Sequence, residues 1–168
     1  MRKNGQYALP AFTLVEVIIV LVIIGIISAV AVPLYTSAAS VQLKTAADMI
    51  ACDLEYAKSM AMSTGRNHSV FFDASAKEYR IKDASGDVNH PVHIGANYIV
   101  SFATDSRLNK VDIVSTTFGS NTVKFDYLGT PSDGAGTALN SSGSVQLRAG
   151  GNILTVKVEP VTGYVSIE

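Results

Sequence analysis

The sequence predicts an α+β fold: one long N-terminal helix, with a membrane-spanning first half, packed on antiparallel β-sheet. Three observations carry this. Residues 11–33, AFTLVEVIIVLVIIGIISAVAVP, are apolar except for Thr13, Glu16 and Ser28. After Pro33 the pattern becomes amphipathic, with Leu43, Ala46, Ala47, Ile50, Leu54, Ala57 and Ala61 recurring at threes and fours. From His68 to the end, short runs of β-branched and aromatic residues alternate with Gly, Ser, Asn and Asp.

The 168 residues make about one domain. Hydrophobic residues are 48% of the chain, an excess that comes mainly from residues 14–32. The formal net charge of −1 gives no reason to expect a nucleic-acid partner. Cys52 stands alone, so no intrachain disulfide forms, and its place in a helical pattern predicts a small, buried or half-buried residue.

Arg2 and Lys3 precede the apolar run and predict that this end stays cytoplasmic, with the C-terminal part outside the inner leaflet. Residues 12–35 approach the ~20 needed to span a bilayer, with Gly25 and Pro33 as points of local loosening. No charge lies between Glu16 and Lys44. A carboxylate at the edge of such a run is costly and marks a candidate functional residue.

Next comes the amphipathic stretch. Lys44, Asp48, Glu55 and Lys58 lie off its apolar face, with Glu55 and Lys58 spaced for a pair. Met49, Met60 and Met62 read as packing residues, and Gly65 as the C-terminal cap. The helix is therefore expected over residues 12–64, with alanines letting the second half approach the domain it packs on. HSVFFD and EYRIKD form a hairpin through ASAK, and SGD ends the second strand. NYIVSF, KVDIVSTTF and TVKFDYLG read as strands, and residues 130–144 as a mobile loop. VQLRAGGNILTVKVEPVTGYVSIE closes the chain with three strands. The expected assembly is two antiparallel sheets, or one strongly bent sheet, on the half-helix of residues 40–64.

Chemical signatures are sparse. His90 and His93 are three apart, with Asp87 nearby, but a zinc site needs three or four ligands, and a solvated loop is the better reading. Asp133, Gly134 and Gly136 lack the further acids of a calcium loop. No nucleophile elbow, phosphate-binding loop or paired-carboxylate arrangement occurs. The reading is of a chain that is not an enzyme and takes no cofactor or metal. Lys110, Lys124, Arg148 and Lys157 are scattered, and phosphate binding needs a cluster.

The stretch AFTLVEV, followed by an apolar helix, resembles the processing site of type IV prepilins and type II secretion pseudopilins. The later stretches DLEYAKSMAMSTGRNHSVFFD, FDYLGTPSDG and VEPVTGYVSI are similar to the GspH/FimT family of minor pseudopilins and minor pilins, so the resemblance covers nearly the whole chain. It implies a prepilin leader over residues 1–11, a filament-core helix over 12–37 and a periplasmic domain over 38–168. It also implies cleavage by a prepilin peptidase between Ala11 and Phe12 and methylation of the new Phe12 amine. The family has Gly before the cut, where this chain has Ala11. Glu16 would then pair with a Phe12 amine, often a neighbouring subunit's; the two residues are four apart, on adjacent helix surface. Partners implied are other pseudopilins or pilins, the inner membrane and secreted exoproteins. The function implied is a minor pseudopilin of type II secretion, with a minor type IV pilin as the alternative. A third reading is a module that holds DNA or an exoprotein through loops 89–97 and 130–144. Some relatives carry Gly-Arg-x-Arg near the C-terminus for DNA uptake; here the place reads Gly163, Tyr164, Val165, Ser166, without a cation.

Overall fold

The computed structural model describes residues 13–168, apart from the side chains of residues 30–37. Helix α1 runs Leu14–Thr64. Thr13 precedes it in the T-x-x-E pattern of a capping box, and the Glu16 N–H donates to Thr13 Oγ1 at 3.2 Å. The expected start at Phe12 lies outside the described residues. The helix passes Gly25 and Pro33 without interruption. It stops where Gly65 adopts φ +65°, a left-handed C′ position that glycine takes without strain.

The chain divides into two compact units, residues 1–37 and Ala38–Glu168. In the first, every Leu, Ile and Val from Leu14 to Ile27 is between 46% and 75% exposed, so the helix is apolar on all sides. Among the described residues no helix is long and apolar enough to cross a membrane; the rest of the run, 30–37, falls outside the described side chains.

The second unit holds the core. Ala39, Leu43, Ala46, Ala47, Ile50, Leu54, Ala57 and Ala61 are all buried, as the three-and-four spacing predicts. Five of these eight are alanines, whose short side chains permit close approach of the sheets. Strands β1 (His68–Asp73), β2 (Glu78–Asp83), β3 (Gly86–Asp87), β4 (Ile99–Ser101), β5 (Val111–Thr116), β6 (Thr122–Phe125), β7 (Pro131–Asp133), β8 (Gly143–Ala149), β9 (Asn152–Val158) and β10 (Val165–Ile167) form two antiparallel sheets. The first has the order β3-β2-β1-β6-β7, with β4 also on β2; the second is β10-β9-β8-β5. Of the two expected arrangements, the separate sheets are the one formed. Inward residues alternate along the longer strands β1, β2 and β8, with Val70 and Phe72 on β1, Tyr79 and Ile81 on β2, Val145 and Leu147 on β8.

Four expectations are corrected. Residues 130–144 are not simply a mobile loop: Pro131–Asp133 pairs with β6, Ser132 bridges Ala138, and the Asp133 carboxylate accepts the Thr137 N–H. Gly86–Asp87 does not merely end β2 but returns to pair with it. Cys52 is exposed, because two residues beyond buried Ile50 a helix has turned by about 200°. Met49 packs against the core as expected, but Met62 is 48% exposed at the helix end.

Candidate functional site

Of the residues the sequence singles out at the N-terminus, Ala11 and Phe12 lie outside the described residues. Glu16 is exposed in the first turn of α1. There its charge is favoured by the positive end of the helix dipole, while its backbone N–H is satisfied by Thr13. It is the one acid of a first turn whose other side chains, Leu14, Val15 and Val17, are exposed and apolar. The stretch is thus an exposed apolar surface that carries one carboxylate at its start.

His90 and His93 sit together in the loop after β3, ring centroids 4.6 Å apart. Among the described residues no group of three or more His, Cys, Asp or Glu is placed to hold a metal. The His90 ring also stacks on Tyr98 at 4.7 Å. Basic residues remain dispersed: Lys124 donates to the Gly134 carbonyl, Arg148 faces Asp112 and Lys157 pairs with Glu168. Gly163–Ser166 forms the entry to β10, with the Lys58 ammonium donating to the Gly163 carbonyl at 2.9 Å.

The most unusual polar group was missed by sequence reasoning. Asp53 is buried in the helix, and its carboxylate accepts from Tyr79 Oη on β2 at 2.6 Å and from Tyr98 Oη before β4 at 2.7 Å. Burial raises the Asp53 carboxyl above the usual carboxylate range, against the opposing pull of the two tyrosines and the nearby His90. Burial and the Asp53 carboxylate together push both tyrosine hydroxyls up. The signal was present: Ile50, Asp53, Leu54 and Ala57 follow i, i+3, i+4, i+7, so the acid occupies an apolar-face position. Each hydroxyl donates and the carboxylate accepts, so the cluster clamps helix to sheet. A cleft of about 430 Å³ opens beside it, lined in part by His90, His93, Tyr98 and Arg107.

No protein-family model matches the chain, and no curated protein matches it in sequence. Solved structures do match in fold. The minor pseudopilin EpsH from the type 2 secretion system of Vibrio cholerae aligns with TM-score 0.54 at 10% identity, over 76% of this chain and 96% of that one. The type IV minor pilin FimU of Pseudomonas aeruginosa aligns with TM-score 0.50 at 18% identity, over 75% of this chain and 92% of that one. A second crystal form of FimU gives 0.51 at 16%, over 75% and 87%. The chain thus has a type IV pilin-like α+β fold of the minor pilin and pseudopilin kind.

Proposed function

We propose that this chain is a non-enzymatic structural subunit of a pilus-like filament, a minor pseudopilin of type II secretion in the first instance. The observation that carries the reading is the all-round exposure of apolar side chains from Leu14 to Ile27. Such a surface is unfavourable in water by about 25 cal/mol per Å² and needs a cover. Lipid of the inner membrane supplies one before assembly and neighbouring subunits' helices supply it afterwards. Residues 14–29 give about 24 Å of helix at 1.5 Å per residue. Continuation through the apolar 30–32 brings the run close to the ~30 Å hydrocarbon core.

In this reading residues 1–11 are a leader, a prepilin peptidase cuts between Ala11 and Phe12, and the Phe12 amine is methylated. The domain, residues 38–168, stands in the periplasm. Glu16 then meets the Phe12 amine of a neighbour, and the pair lowers the cost each charge carries on leaving water. The fold likeness to EpsH and FimU supports a minor subunit of either machine; the minor type IV pilin is the runner-up. N-terminal peptide mass spectrometry of the protein from its own membranes tests processing: a chain beginning at methylated Phe12 is expected. A chain that retains residues 1–11 would overturn the pathway. Disrupting the gene separates the two machines. Loss of exoprotein release with piliation retained supports secretion, and the reverse supports the pilus.

A further inference from the structure

The compact unit carries an open groove of about 520 Å³ between the first turns of its helix and strand β9. Its walls are apolar: Val41 and Leu43 come from α1, Ile153 and Leu154 from β9. Val41 is 62% exposed and Ile153 54%, so two aliphatic side chains stand open at the rim. The β8–β9 turn closes on the helix at one end. There Gly150 takes φ +60°, and a Cβ on it would lie 3.7 Å from the Ala39 Cβ, an ordinary van der Waals contact.

Two charges of opposite sign share this groove. Lys44 and Asp48 lie one helical turn apart on its α1 wall, about 6 Å between Cβ atoms. Among the described residues neither side chain enters a salt bridge or a hydrogen bond. Their order gives the reason: at i, i+4 a cation N-terminal to an acid is the less favourable arrangement. Further along the same helix Glu55 and Lys58, with the acid first, do pair at 2.7 Å. An apolar concavity with a separated cation and anion fits a ligand that is itself zwitterionic and partly apolar. A purely anionic ligand would meet Asp48, and a purely cationic one Lys44.

Position in the chain narrows the choice, and this step rests on the membrane-anchored reading above. Ser40, at the edge of the groove, comes five positions after Tyr35, the end of the apolar run. Five residues span at most about 18 Å however they are arranged, and a headgroup layer is itself about 5–7 Å deep. Phospholipid is therefore within reach of the groove. We propose that the groove holds an aminophospholipid headgroup, that of phosphatidylethanolamine, and so docks the compact unit on the bilayer surface before assembly. The Lys44 ammonium donates to a phosphate oxygen, and the primary ammonium of the lipid donates to the Asp48 carboxylate. The glycerol and the first acyl carbons lie along Val41 and Ile153, where they cover the exposed aliphatic rim.

The test uses the full chain in neutral-detergent micelles. Short-chain phosphatidylethanolamine, phosphatidylcholine or phosphatidylglycerol is added, and backbone amide shifts are followed by NMR. Phosphatidylethanolamine is expected to give saturable shifts at Val41, Lys44, Asp48 and Ile153. The quaternary ammonium of phosphatidylcholine has no N–H to donate to Asp48, and phosphatidylglycerol has no ammonium. Each is expected to bind about tenfold more weakly, the loss of one charge-assisted hydrogen bond. Asp48→Lys changes an exposed position, leaves the core untouched and is expected to turn the preference to phosphatidylglycerol. Equal binding of the three lipids, or an unchanged preference in Asp48→Lys, would overturn the proposal. So would groove shifts that appear on concentrating the lipid-free protein and block lipid binding, which would assign the groove to a second copy. Phase partition reads the anchor separately. A full chain that enters the detergent phase but shows no lipid preference sinks the groove alone. One that stays in the aqueous phase sinks the anchored reading and this proposal with it.

Discussion

Asp53 shows how one residue can set a pH dependence. An acid held above its ordinary value when folded binds its proton more tightly in the folded chain than in the unfolded one. Its contribution to stability is complete below about pH 4 and is lost as pH rises through the folded value. Relative to Asp53→Asn, the wild-type compact unit should therefore lose stability as pH rises above about 4, as read by thermal melts at a series of pH values. Asp53→Ala strands two buried tyrosine hydroxyls and is expected to cost about 2–4 kcal/mol in urea unfolding. Gly163 is a second point of high sensitivity. It sits at φ +60°, and a Cβ there would lie 2.6 Å from the Gly129 carbonyl. Gly163→Ala should destabilise by about 1–3 kcal/mol, since strain and clash add.

At the scale of the element, α1 serves two environments with two patterns. Its alanines at 46, 47, 57 and 61 are fully buried, and the sheets close over them. Ala57→Leu adds three carbons where there is no space and should cost about 1–3 kcal/mol or more of the compact unit's stability. The other end carries Glu16. Glu16→Ala is expected to leave membrane insertion and the folded domain intact while reducing incorporation into filaments, scored by co-purification with partner subunits. Normal incorporation would sink the charge-pairing role. Because Glu16 also lies in the capping turn of α1, Glu16→Gln is the sharper variant, keeping the shape and removing the charge.

For the whole molecule, the division into two units predicts two solubilities. The full chain should partition into detergent and the Ala38–Glu168 unit into the aqueous phase, in a phase-separation assay with a neutral detergent. The scattered, paired cations of the second unit predict elution from immobilised DNA well below physiological salt, about 0.15 M. Retention above that concentration would favour the nucleic-acid reading over the scaffold.

By itself the sequence determined what periodicity and local chemistry carry: the helix and its alanine seam, the glycine stop at 65, the β1–β2 hairpin, the all-apolar stretch with its single acid. These depend on neighbours three or four residues apart, or on backbone conformations that few residues adopt. Tertiary structure decided what depends on partners distant in the chain. Asp53 is 26 residues from Tyr79 and 45 from Tyr98, so nothing local announces that its carboxylate is shared between them. Residues 131–133 are too short and too polar to read as a strand until β6 offers its edge. His90 read as part of a solvated loop, and only the folded chain turned its ring nitrogen onto two backbone N–H groups, those of Val92 and His93. Hydrogen bonds of this kind are satisfied by geometry rather than by pattern, which is why the fold was legible in advance and its polar locks were not.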